Sequence, residues 1–206
     1  MDDSAARYFH PSNLLTYLAV LCGLGALLAS LWLRSWPLAG GLIALCALAD
    51  TFDGKFARRF ARRAEQRDFG VQLDSLADAL NFGLVPVTCL GALLSFASAA
   101  MSATWAAAAL AYVISAITRL GAYNLQREQS SGFIGVPTTV AGLIWSTAFL
   151  AQPSAVLSAL LLALLSLAMV SPLRISRPTG LGMAVFVAWP LVLLVLHAGR
   201  WAISVL

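Results

Sequence analysis

Four aspartates stand in two short clusters of this chain, Asp50-Thr-Phe-Asp53-Gly54-Lys-Phe-Ala57-Arg58 and Gly70-Val-Gln-Leu-Asp74-Ser-Leu-Ala-Asp78, inside stretches that are otherwise hydrocarbon. Asp50 and Asp53 are spaced i,i+3, and Asp74 and Asp78 i,i+4, with Gly70 one turn before Asp74, so each pair lines one face of a helix. An ionised aspartate at mid-membrane costs about 2.5–3.5 kcal/mol on insertion scales. Four of them must therefore share a polar cavity, a cation or both. Two such faces turned toward each other make an all-oxygen site, which suits Mg²⁺ or Mn²⁺ and gives no reason to invoke zinc or copper.

The order D-x-x-D-G-x-x-A-R followed by G-x-x-x-D-x-x-x-D resembles the signature of the CDP-alcohol phosphatidyltransferase family, integral membrane enzymes of phospholipid synthesis. Asp50, Asp53, Gly54, Ala57, Arg58, Gly70, Asp74 and Asp78 occupy its fixed positions. The stretch between Arg58 and Gly70 is longer than is usual there, and the extra residues are expected in the charged turn Arg59–Asp68, where an insertion is tolerated. The resemblance implies a CDP-diacylglycerol donor, a small alcohol acceptor, release of CMP, two Mg²⁺ or Mn²⁺ ions and a homodimer. It implies Asp50, Asp53, Asp74 and Asp78 as metal ligands, with Asp78 also the base that takes the acceptor proton.

The same resemblance extends to the donor. Pro11-Ser-Asn13-Leu-Leu-Thr16 is similar to a P-N-x-x-T element at the head of the family's first helix, so Asn13 and Thr16 join Asp50, Asp53, Gly54, Ala57, Arg58, Gly70 and Asp74 as expected nucleotide and phosphate contacts. The alternative for Ser12 or Asn13 is a helix N-cap. Gly54 and Ala57 are small enough for a cytidine ring to approach the backbone, or for a neighbouring helix to pack closely. Arg58 can pair with the pyrophosphate or with a carboxylate. For Arg59, Arg62, Arg63 and Arg67, snorkelling to the interface is the preferred reading.

Three further segments resemble the phosphatidylserine synthase branch: Leu73–Pro86, Arg119-Leu-Gly-Ala-Tyr-Asn124 and Phe133-Ile-Gly-Val-Pro137. They depart from it at Asn81, at Gly121-Ala122, where a second arginine is missing, and at Val136. The resemblance thus implies L-serine as preferred acceptor, with Asn81, Arg119 and Asn124 as candidate acceptor contacts. Asn81 could equally hydrogen-bond a neighbouring helix. Rival acceptors are glycerol phosphate or inositol phosphate, and a rival class is a cation-coupled transporter, the general default for buried intramembrane acids.

The elements that must hold these residues follow from composition. With 60% hydrophobic and 11% charged residues and a mean hydropathy of +0.85, the chain reads as an all-α integral membrane protein. Apolar runs at about 14–33, 37–57, 71–97, 100–122, 135–152, 155–171 and 180–199 predict a bundle of six or seven transmembrane helices, the fifth and sixth being short and bounded by Pro137 and Pro153. With the N-terminus inside and seven spans, Arg7, Lys55, Arg58, Arg59, Arg62, Arg63, Arg67, Arg119, Arg127, Arg174 and Arg177 face the cytoplasm, and of the 13 basic residues only Arg34 and Arg200 do not. The net charge of +4 then describes a basic membrane face and does not point to nucleic acid. Residues 1–206 are expected to form one domain with residues 1–12 as a cytoplasmic arm. The opening Met-Asp-Asp lacks the basic region of a cleavable signal peptide. Cys22, Cys46 and Cys89 fall inside spans and read as small packing residues. Together these features place the expected site at the cytoplasmic side of a bacterial inner membrane.

Overall fold

The computed structural model describes residues 5–126, 132–176 and 178–205. Arg127, Arg177 and the first four residues of the expected arm lie outside the described residues. Short 3₁₀ turns at Ala5–Tyr8 and Pro11–Asn13 lead into α1 (Leu14–Leu31), followed by α2 (Trp36–Ala57) and α3 (Ala64–Asp78). A π-helical turn, Ala79–Leu84, joins α3 to α4 (Val85–Leu93). Then come α5 (Ala99–Gln126), β1 (Gly132–Ile134), α6 (Thr138–Ala151), α7 (Ala155–Val170), β2 (Arg174–Ser176) and α8 (Leu181–Val205).

The apolar runs read from sequence thus form helical rods, with α3, the π turn and α4 making one continuous rod. Among the described residues five are long and apolar enough to cross a membrane: Pro11–Leu31, Trp36–Ala57, Ala64–Leu93, Ala99–Leu125 and Leu181–Ser204. The two short apolar helices are α6 and α7, of 14 and 16 residues. Leucines on the outward faces of α1, α5, α7 and α8 remain exposed, as a surface facing hydrocarbon requires.

α2 is the organising helix, packed against α1, α6 and α8. It carries small residues toward its neighbours, with Ala39, Ala44, Cys46 and Ala47 fully buried, so backbones approach closely where lipid supplies no hydrophobic drive. The three cysteines are buried and unoxidised, as expected of packing residues. Around this helix the core is filled by Ile43, Leu90, Tyr112, Trp145, Phe149, Leu162 and Met169.

Two features depart from the sequence reading. α3 starts at Ala64, inside the segment expected as a charged turn, and Gln66 accepts the backbone N–H of Arg63 at 3.0 Å to close its first turn. The extra residues therefore lengthen a helix and leave only Arg58–Arg63 as the connection. The connections after α5 and α7, in a chain read as all-α, pair as an antiparallel two-stranded ribbon with Phe133 opposite Ile175. Gly135 makes this possible. Its φ of 73° is a left-handed conformation, its N–H donates to Leu173 O at 2.8 Å, and a side chain there would collide with the carbonyl of Met169.

Candidate active site

The four aspartates come from the last turns of α2 and α3, and the structure turns the two helices toward each other. Single carboxylate oxygens of Asp50, Asp74 and Asp78 all lie within 4.8 Å of one another. Asp53 stands beside this trio. Hydroxyls on other helices donate to three of them. Thr139 of α6 donates to Asp50 at 2.8 Å, Thr138 to Asp78 at 3.3 Å, and Thr16 of α1 to Asp53 at 3.4 Å. A hydroxyl proton occupies one lone pair and leaves the rest of each carboxylate available. Three anionic oxygens at this separation repel one another strongly, and a hard divalent cation is the partner such a donor set fits.

Two cavities open on the carboxylates. The first, of about 210 Å³, is lined by Ser12, Asn13, Thr16, Asp53, Gly54, Ala57, Arg58, Arg62, Arg67, Gly70, Val71 and Asp74. Of the residues expected at the donor, all but Asp50 line it. Asn13 is buried, makes no capping bond to α1, and instead holds Tyr8 O and the Ser12 hydroxyl. His10 caps the 3₁₀ turn Pro11–Asn13, its ring accepting the N–H of Ser12 at 3.2 Å. Gly70 faces Asn13 Oδ1 and Arg62, and the smallness of Gly54 leaves room beside Arg58. Arg62 and Arg67, read from sequence as snorkelling residues, line the cavity with Arg58. Their i,i+5 spacing carried no sign of this, because it depends on α3 beginning early.

The second cavity, of about 640 Å³, is shared among α2, α3, α5, α6, the ribbon and the start of α8. Asp50, Asp53, Asp74 and Asp78 line it together with Arg119, Asn124, Thr138 and Thr139. Asp53 and Asp74 therefore belong to both cavities. Arg119 is only 6% exposed, and its Nε and Nη2 are buried without a hydrogen-bond partner. Its guanidinium lies 5.6 Å from the Tyr123 ring centre and 5.7 Å from that of Phe133, held by cation–π contacts. Asn124 lines the same space and donates to the Ser75 hydroxyl at 2.8 Å.

Asn81 is placed differently from the other acceptor candidates. It is 2% exposed and does not line the cavity; a side chain on Gly23 of α1 would collide with its amide oxygen. The i,i+3 spacing from Asp78 assumes a regular α-helix, whereas the π turn over Ala79–Leu84 rotates everything after Asp78. Thr138 and Thr139 were missed in the sequence. The Pro137 before them marked a helix start, but which helix end they would meet is a tertiary fact.

Comparison with known proteins agrees with this geometry. The family model for CDP-alcohol phosphatidyltransferase matches residues 9–205. An archaetidylserine synthase of Methanothermobacter thermautotrophicus is 31% identical over 144 residues, covering 68% of this chain and 59% of that protein. A CDP-diacylglycerol–serine O-phosphatidyltransferase of Mycobacterium tuberculosis is 31% identical over 134 residues, 60% of this chain and 43% of that protein. One from Bacillus subtilis is 32% identical over 96 residues, 46% of this chain and 50% of that protein. The chain thus spans about half the length of these relatives. With the motif carboxylates gathered at one point and the family model matching nearly end to end, the chain belongs to the CDP-alcohol phosphatidyltransferase family.

Proposed function

We propose that the protein transfers the phosphatidyl group of CDP-diacylglycerol to L-serine and releases CMP. The observation that carries this reading is the meeting of two unlike cavities at Asp53 and Asp74: one lined by Arg58, Arg62 and Arg67, the other by a buried arginine with unpaired donors. The first suits a nucleoside diphosphate. The second suits a small acceptor bearing an anionic group.

In this reading Arg58, Arg62 and Arg67 hold the pyrophosphate, while Asn13, Thr16, Gly54, Ala57 and Gly70 border the nucleotide. The acceptor hydroxyl oxygen attacks the phosphorus that carries the diacylglycerol, and the bond from that phosphorus to the bridging oxygen of CMP breaks. The acceptor proton passes to the carboxylate of Asp78, which Thr138 orients. Asp50, Asp53, Asp74 and Asp78 would hold the Mg²⁺ or Mn²⁺ pair, which when bound neutralises charge on the pyrophosphate and on departing CMP. Arg119 holds the serine carboxylate, and Asn124 borders the same space.

The family relationship supports a homodimer and one domain over residues 1–206. We place the protein in a bacterial inner membrane, and an orientation with both cavities toward the cytoplasm is supported by charge: Lys55, Arg58, Arg59, Arg62, Arg63, Arg67, Arg119 and Arg174 all belong to the carboxylate end of the bundle. The test is CMP release by the purified protein from CDP-diacylglycerol with Mn²⁺ or Mg²⁺ and a panel of alcohols. Serine should be the preferred acceptor and excess EDTA should stop the reaction. Preference for glycerol phosphate or inositol phosphate would move the assignment to another acceptor. CMP release that persists in EDTA would remove the metal mechanism, and ion flux in liposomes without any CMP release would replace an enzyme by a transporter.

A further inference from the structure

Arg34 and Arg200, the two basic residues that the positive-inside pattern leaves at the far end of the bundle, are 166 positions apart in sequence yet line one cavity. It has a volume of about 780 Å³ and is bordered by Leu33, Ser35, Trp36, Leu150, Gln152 and Ile203 among others. Trp36 opens α2 and Asp53 lies near its other end, so at 1.5 Å per residue this cavity is about 25 Å from the carboxylates. Each guanidinium is anchored by one donor to the end of a helix, Arg34 to Ala92 O and Arg200 to Leu150 O. The other donors of each fork are left for a ligand. Among the described residues no acidic side chain lines the cavity, so the two guanidinium groups face no side-chain carboxylate there.

The backbone at the cavity is distinctive, because two helix ends meet there. Among the described residues, the two non-glycine positions with left-handed backbone are Arg34 (φ 51°) and Gln152 (φ 49°), and both border this cavity. Glycine or asparagine would adopt that conformation more readily. Trp36 is the kind of residue that sits at headgroup level, and Leu33 and Ile203 present apolar surface beside the two charges.

We infer that this cavity binds the phosphate of an anionic phospholipid headgroup from the leaflet opposite the carboxylates. Two guanidinium forks match phosphate oxygens, and the adjoining apolar residues match the acyl chains. A zwitterionic headgroup fits poorly, because its cation finds no carboxylate in the cavity. The inference does not depend on the transfer reaction.

The experiment places the full-length protein in phosphatidylcholine nanodiscs containing brominated phosphatidylglycerol or brominated phosphatidylcholine. Quenching of Trp36 fluorescence is read as the difference from Trp36→Phe. Half-quenching should need about tenfold less phosphatidylglycerol than phosphatidylcholine, and the preference should vanish in Arg34→Gln/Arg200→Gln. Arg34→Lys/Arg200→Lys, which keeps the charge, should retain part of it. Arg59→Gln/Arg63→Gln at the other face should leave it unchanged. Equal quenching by the two lipids in the unmutated protein overturns the inference whether or not the variants fold. A preference abolished by added inorganic phosphate would assign the site to a free anion and overturn the lipid assignment.

Discussion

Asp50 and Asp78 sit in one carboxylate cluster but have different duties in the proposed reaction, and substitution separates them. Asp50→Asn should weaken Mn²⁺ binding, followed by electron paramagnetic resonance, and abolish most turnover. Asp78→Asn should lower kcat by about 10²–10⁴, the range of a lost general base, while CDP-diacylglycerol binding stays near that of the unmutated protein. Because an Asp78 oxygen lies within 4.8 Å of those of Asp50 and Asp74, a loss of donor affinity as large as for Asp50→Asn would make Asp78 a metal ligand first. Arg119 is tested through the acceptor. Its buried Nε and Nη2 lack partners, so Arg119→Gln should raise the serine KM at least about tenfold, while water-dependent hydrolysis of CDP-diacylglycerol changes little. An unchanged KM would move carboxylate recognition elsewhere.

Among the elements, the π turn after Asp78 has the largest consequences. Pro86, four residues after Phe82 in the same rod, has no N–H, so the Phe82 carbonyl lacks its ordinary helical donor and needs another. Tyr112 of α5 supplies it, fully buried, with its hydroxyl donating to Phe82 O at 2.7 Å. Tyr112→Phe leaves that carbonyl without this donor and should cost about 1–3 kcal/mol, seen as a lower unfolding midpoint in detergent. It should also lower kcat more than it alters the serine KM, because the turn positions Asp78 and not Arg119. A variant with unchanged stability and kcat would show that the π turn needs no support from α5. The same turn explains the position of Asn81, and the early start of α3 explains how Arg62 and Arg67 reach the donor cavity. Pro86, which has no N–H for the Phe82 carbonyl, is the one residue signal of the π turn, whereas Ala64–Asp68 reads as a charged loop.

For the whole molecule, the segregation of charge makes a prediction about orientation. All three native cysteines are buried, so background labelling should be low and an added cysteine can report its side. Arg63→Cys, at the start of α3, and Ser204→Cys, near the end of α8, stand at opposite ends of the bundle. In intact bacterial spheroplasts, a membrane-impermeant maleimide should label Ser204→Cys and spare Arg63→Cys until the cells are opened. The reverse pattern would put the carboxylates outside and remove the access to cytoplasmic substrate that the proposal requires.

How much was legible in the sequence differs between the helices and the site. Spans are legible because a bilayer leaves the backbone no other partner than itself, so an apolar run of sufficient length must be helical whatever surrounds it. The aspartate spacing is legible for a related reason: helical periodicity alone puts each pair on one face. What tertiary structure decided was every relation between elements. It brought Thr16, Thr138 and Thr139 onto carboxylates of other helices, Arg119 into a cage of Tyr123 and Phe133, and Arg34 beside Arg200. It also closed the ribbon between the connections that follow α5 and α7. Single hydroxyls carry no periodicity and their carboxylate partners lie tens of residues away, and of the Arg119 cage only Tyr123, one turn on along α5, is local, so these roles follow from how the helices pack.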